Sequence, residues 1–158
     1  MKKISIVWLE IIQLIIGFEW LKSSYEKLFE PEFIANYPKT MEVFATKTQY
    51  HWYGNFLSGF VLDHSNLFGN LIRIGEFATG LGLVIAAILI MSNKALPLLA
   101  TWVLVIVCFA GAFMNLNFYL ASSWSGPAAA GINCTMGLIQ VALGIFYITN
   151  RHNLKSNI

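Results

Sequence analysis

The sequence predicts an all-α integral membrane protein: a four-transmembrane-helix bundle with a long outer loop containing short amphipathic helices. Three observations carry this. First, 57% of the 158 residues are hydrophobic and only 11% are charged, against roughly 25% charged in soluble domains; the mean hydropathy is +0.64. Second, four apolar runs each approach the ~20 residues needed to cross a bilayer. Third, the polar residues left inside those runs recur at helical spacing. Backbone polar groups in lipid must be satisfied within the segment, so the runs are helices. The length suits one domain, residues 1–158.

Span 1 covers about residues 4–24. Its basic start and apolar centre superficially match a signal peptide. It lacks a small-residue cleavage site, and Glu10 and Gln13 interrupt it, so it reads as a retained span. Residues 25–66 form the outer segment, which is net acidic and rich in aromatics, among them Phe29, Tyr37, Trp52, Tyr53 and Phe60. Pro31 and Pro38 bracket a turn or short helix there, and 40–48 and 50–62 suit amphipathic helices lying on the bundle mouth. The aromatics are either an interfacial belt or a lid over a cavity, and the two are compatible.

Span 2 (67–91) is the centre of the pattern. It lies in the run NLFGNLIRIGEFATGLG and its apolar continuation. At about 100° per residue, Gly69, Arg73, Glu76, Gly80 and Ala87 share one face. An ionisable pair at membrane depth must face protein or water and marks a functional site. Spans 3 (95–120) and 4 (127–149) carry Pro97 and Pro127 in their first turns, where a missing N–H costs little. Lys2, Lys3, Lys94, Arg151 and Lys155 flank one side, and the loop between spans 3 and 4 has no basic residue. That asymmetry places both termini in the cytoplasm of a multi-pass plasma-membrane protein.

The spans also carry small and amide stripes: Glu10, Gln13, Gly17 and Ser24; Cys108, Gly111 and Asn115; Asn133, Gly137, Gln140 and Gly144. Such stripes are helix-packing faces in lipid, and the amides serve either interhelical hydrogen bonds or a ligand. By depth, Glu19, Arg73, Glu76, Asn115 and Asn133 fall in one layer in the outer half of the bundle. Glu10, and with it Gln140, belongs further in. Arg73 can pair with Glu76 in its own helix or with Glu19 across to span 1. Glu19, Lys22 and Glu26 make a separate stripe.

Several classes are set aside. No basic cluster exceeds Lys2-Lys3, so no nucleic-acid partner is expected. There is no CxxC, and Cys108 and Cys134 read as two buried free thiols. His51, His64 and His152 lie outside the spans, so neither a bis-His haem within the bundle nor a metal centre is expected. There is no internal repeat of the transporter kind.

Four features give the chain a family likeness. The end of span 1 reads GFEWLKSSYEKLFEPEF, span 2 reads RIGEFATGLGLVIA, span 3 ends NFYLASSW, and span 4 reads GPAAAGINCTMGLIQVALG. The chain resembles the DoxX/DoxD-like four-span membrane proteins over nearly its whole length, on the DoxD side of that family. The resemblance implies a membrane subunit of a thiosulfate:quinone oxidoreductase that joins two thiosulfates to tetrathionate while a quinone is reduced. On that reading Glu76, Arg73 and Glu19 are the catalytic candidates. Trp20, Lys27, Asn115, Trp124 and Asn133 are the quinone- or substrate-binding candidates, with Trp52 and Tyr53 as further apolar walls. The expected associates are the bilayer, a quinone and a partner membrane or outer-face subunit. The alternative is a non-enzymatic accessory or assembly subunit of a larger respiratory or export complex. A proton-coupled transporter using Glu10 is a third reading.

Overall fold

The computed structural model describes the backbone of residues 3–92 and 96–150 and the side chains of 7–92 and 96–150. Of the basic residues that set the expected orientation, Lys2, Lys94, Arg151 and Lys155 lie outside the described residues, as does the side chain of Lys3; so does His152. The described chain is helical, with no strand. Helix α1 runs Lys3–Phe29, α2 Phe33–Lys47 and α3 His51–Phe56. A π-helical turn, Leu57–Val61, continues α3. Helix α4 is Ser65–Met91, α5 is Leu98–Ser122, and α6 is Pro127–Asn150 after the 3-10 turn Ser123–Ser125.

Among the described residues, three helices are long and apolar enough to cross a membrane: α4, α5 with its 3-10 extension, and α6. Helix α1 equals α4 in length at 27 residues. Its apolar run is interrupted by Glu10, Gln13, Glu19 and Lys22. The outward surface of the long helices is the reverse of a soluble protein's. Ile106, Phe113 and Leu138 are each about two-thirds exposed, while Glu10, Gln13, Glu76 and Gln140 are fully buried. Large apolar side chains facing out over whole helix lengths fit hydrocarbon, not water.

Helix α1 packs along α4, α5 along α6, and α4 against α5. The first seam is set by small residues. A Cβ on Gly80 would come within 2.8 Å of the Leu21 backbone nitrogen and 2.9 Å of the Gly17 carbonyl oxygen. The two backbones therefore touch at Gly17–Gly80, as small-residue stripes allow. On the second seam, Gly144 receives the Phe109 ring. Ile16, Trp20, Leu83, Leu104, Cys108, Leu143 and Tyr147 fill the centre.

The outer segment caps one end of this bundle. Helix α2 starts earlier than the expected 40–48, at Phe33, and Pro38 lies inside it rather than at a bracketing turn. Proline fits because it stands only six positions in, where one lost backbone bond is offset by tertiary packing. Tyr37 and Ile34 lie over Gly69 of α4, a contact a Cβ there would crowd at 3.0–3.3 Å. The cap is pinned to α5 by side chains that donate. The Thr48 hydroxyl donates to the Leu120 carbonyl at 2.6 Å. The Tyr53 hydroxyl donates to Asn117 Oδ1 at 2.9 Å. Burial pushes the Tyr53 hydroxyl up to about 12, so it stays a neutral donor.

Candidate functional site

Three polar groups are built into the seams. The first joins α1 to α4. Lys27 Nζ donates to Glu76 Oε2 at 2.8 Å and to Ser23 Oγ at 2.6 Å. Glu76 is fully buried, while the Lys27 side chain keeps about a quarter of its exposure. This corrects the expected pairing: Glu76 takes neither Arg73 nor a share of it with Glu19. The physical reason is rotation. Arg73 stands three residues before Glu76, at the edge of its face, and donates from Nη2 to Asn70 Oδ1 at 2.6 Å, one turn back on the same helix. It makes no ion pair among the described residues. Glu19 is exposed, in line with Lys22 and Glu26, on the side of α1 away from the bundle.

The second group joins α5 to α6. Asn115 Nδ2 donates to Gln140 Oε1 at 2.7 Å, with both side chains buried. Gly111 makes room for it: a Cβ there would lie 1.9 Å from Gln140 Nε2. Gln140 therefore stands with Asn115 rather than in a deeper layer beside Glu10. Asn133, two turns before Gln140 on α6, is half-buried and makes no side-chain hydrogen bond among the described residues. It lines a groove of about 550 Å³ between α5 and α6, whose walls include Phe109, Phe113, Asn115, Tyr119 and Cys134. Cys134 is thus exposed, and only Cys108 is buried; both thiols are free.

The third group joins α1, α4 and α6 and includes a residue the sequence reading missed. The Tyr147 hydroxyl of α6 lies 3.1 Å from Glu10 Oε1 and is hydrogen-bonded to Gln13 Oε1. Gln13 Nε2 donates to the Leu83 carbonyl of α4 at 2.8 Å. Glu10, Gln13 and Tyr147 are all fully buried. Tyr147 lies seven positions beyond Gln140, two turns on along the same stripe. Extending that stripe by those two turns would have found it.

The aromatic candidates divide. Trp20 is 2% exposed and part of the packed core, with its ring centroid 6.2 Å from that of Phe118. It does not line the groove. Trp52 is 64% exposed on the outside of α3. Trp124 donates from Nε1 to the Ala121 carbonyl at 3.0 Å, and Lys47 Nζ stands 5.9 Å from its ring centroid. Tyr53 walls a second, smaller cavity of about 270 Å³ beneath the cap, with Tyr37, Met41, Phe68 and Phe118. No set of three or more His, Cys, Asp or Glu residues that could hold a metal ion occurs among the described residues.

Lys27 with Glu76 and Asn115 with Gln140 are thus interhelical fasteners. In the α5–α6 groove the Asn133 amide makes no side-chain hydrogen bond among the described residues. Compared with known proteins, the chain matches no family model, no curated protein and no solved structure.

Proposed function

We propose that this chain is a DoxX/DoxD-like, four-span subunit of the plasma membrane, with both termini cytoplasmic, that binds a quinone in the α5–α6 groove. The observation that carries the reading is the Asn133 amide, without a side-chain hydrogen bond among the described residues, in a largely apolar groove of about 550 Å³ on two helices apolar enough to cross a membrane. Ligand sites are mostly apolar with a few orienting polar groups. An amide N–H donor suits a quinone carbonyl. The Phe113 and Tyr119 rings suit its flat face and isoprenoid tail. The quinone, when bound, supplies the redox chemistry; the chain holds and orients its head group.

The thiosulfate oxidase reading rests on the sequence resemblance and brings in an outer-face partner subunit. Of the two cations Arg73 and Lys27, Arg73 has no carboxylate partner among the described residues and is the better placed to attract a dianion, since Lys27 is neutralised by Glu76. The test is retention of ubiquinone or menaquinone by protein purified in nanodiscs. Stoichiometric quinone is expected. An Asn133→Leu variant should lose at least ten-fold in affinity, about the worth of one good hydrogen bond. Bound quinone should also shield Cys134 from a lipophilic maleimide. Unchanged retention in Asn133→Leu, with Cys134 equally reactive, sinks the site.

The accessory reading is favoured by a different observation. The Lys27–Glu76 pair is closed within the α1–α4 seam, as a charge used for assembly would be. Quinone-free protein that co-purifies with a larger membrane complex, whose assembly fails without it, would decide for that reading.

A further inference from the structure

The Glu10 group poses a problem of counting protons. Three oxygens stand in a row: Glu10 Oε1, Tyr147 Oη and Gln13 Oε1. The direction of the chain is set at its far end. The Leu83 carbonyl can only accept, so Gln13 must present Nε2 to it and turn Oε1 towards Tyr147. An amide oxygen can only accept as well, so for both tyrosine contacts to be hydrogen bonds at once the Tyr147 proton goes to Gln13 Oε1. Tyrosine has one hydroxyl proton. The 3.1 Å contact between Tyr147 Oη and Glu10 Oε1 therefore has none left from the tyrosine. If Glu10 were ionised, two oxygen lone pairs would face each other at hydrogen-bond distance. The contact closes only when Glu10 is a carboxylic acid and donates to Tyr147.

The surroundings agree. Glu10 Oε2 is buried with no partner. No cation pairs with Glu10 among the described residues. From α1 it faces Gln13, from α6 Tyr147, from α4 the Leu83 carbonyl reached through Gln13, and from α5 the Cys108 thiol, which lies within its electrostatic reach. None of these carries a positive charge. An isolated carboxylate in a low-dielectric interior takes up a proton rather than remain charged.

We infer that Glu10 binds a proton in the resting protein, and that Glu10–Tyr147–Gln13–Leu83 is a one-way hydrogen-bond chain, a proton-binding site separate from the α5–α6 groove. It joins α1, α6 and α4, so loss of the proton unpairs one of the two contacts between α1 and α6, that of Glu10 with Tyr147, and leaves that of Gln13 with Tyr147. The inference does not rest on quinone binding.

The test is infrared spectroscopy of the full chain at neutral pH, in a detergent without ester carbonyls. Labelling with ¹³C-glutamate identifies the band. A protonated-carboxyl C=O band that shifts with the label and disappears in Glu10→Gln is expected. Glu10→Gln should fold, because its amide can donate to Tyr147 as the acid does. Tyr147→Phe, with Glu10 retained, should move the same band to higher frequency, since the acid loses its acceptor. A folded protein that lacks the band, or a band indifferent to both substitutions, overturns the inference. Should Glu10→Gln fail to fold, the Tyr147→Phe shift alone decides.

Discussion

The smallest feature that decides much here is a single ion pair. Lys27 and Glu76 are 49 residues apart in sequence and 2.8 Å apart in space. Removing one partner of such a pair leaves a charge stranded in a dry seam. Lys27→Met should destabilise the protein by about 3 kcal/mol, the low end for a buried pair because Lys27 keeps some solvent access. Thermal unfolding in detergent measures it. The double variant Lys27→Met with Glu76→Leu should recover most of the loss. Equal stability of Lys27→Met and the parent would show the pair to be solvated and unimportant. At this scale the sequence was half legible. Helical phase marked Glu76 as inward, and it is fully buried. Phase within one helix cannot name the partner on another. From the sequence Lys27 reads as a binding residue, and Arg73 as a partner of either Glu76 or Glu19. Distinguishing them needs the azimuth of α1 against α4, which Gly17 and Gly80 set through backbone contact.

Among the elements, glycines fix how closely helices approach, and their replacement separates the seams. Gly111→Ala would drive its methyl against the buried Gln140 amide and break the bond to Asn115. The expected cost is about 1–3 kcal/mol, that of leaving buried polar groups unsatisfied. Gly80→Ala should be at least as harmful, since the obstacle is the α1 backbone itself. Gly131→Ala meets nothing within 4 Å and should be neutral or slightly stabilising. Comparing melting temperatures of the three variants checks the order; a Gly131→Ala loss equal to that of Gly80→Ala would refute it. The stripes on which Gly80 and Gly111 lie are readable from periodicity alone. Glu10, Gln13, Gly17 and Ser24 are all buried, as are Cys108, Gly111 and Asn115. Span limits agree to within a few residues for α4, α5 and α6. The outer segment was less readable, because its helices are short and are held by contacts with α4 and α5 rather than by their own pattern. Thr48 and Tyr53 are two such contacts. Cys134 was misplaced for a related reason: lying in an apolar run does not say which side of the helix a residue takes.

For the whole molecule, the order of packing differs from the order of the chain. Helix α1 lies on α4, not on its sequence neighbours, and the intervening cap crosses over to α5. The cap is therefore the tie between the α1–α4 and α5–α6 pairs at one end, and the Glu10 chain is the tie between α1, α4 and α6 deep within the bundle. The second tie has a consequence for synthesis. Helix α1 is synthesised before α6, yet the hydroxyl that completes its buried polar group belongs to Tyr147, 137 residues later. Until α6 arrives, Glu10 and Gln13 are poorly suited to lipid. A nascent chain halted after α5 should stay with the insertion machinery or be cleared by quality-control proteases. A chain that includes α6 should pass both, and pulse-chase of the two lengths would show it. The arrival of α6 would then be the step that releases α1.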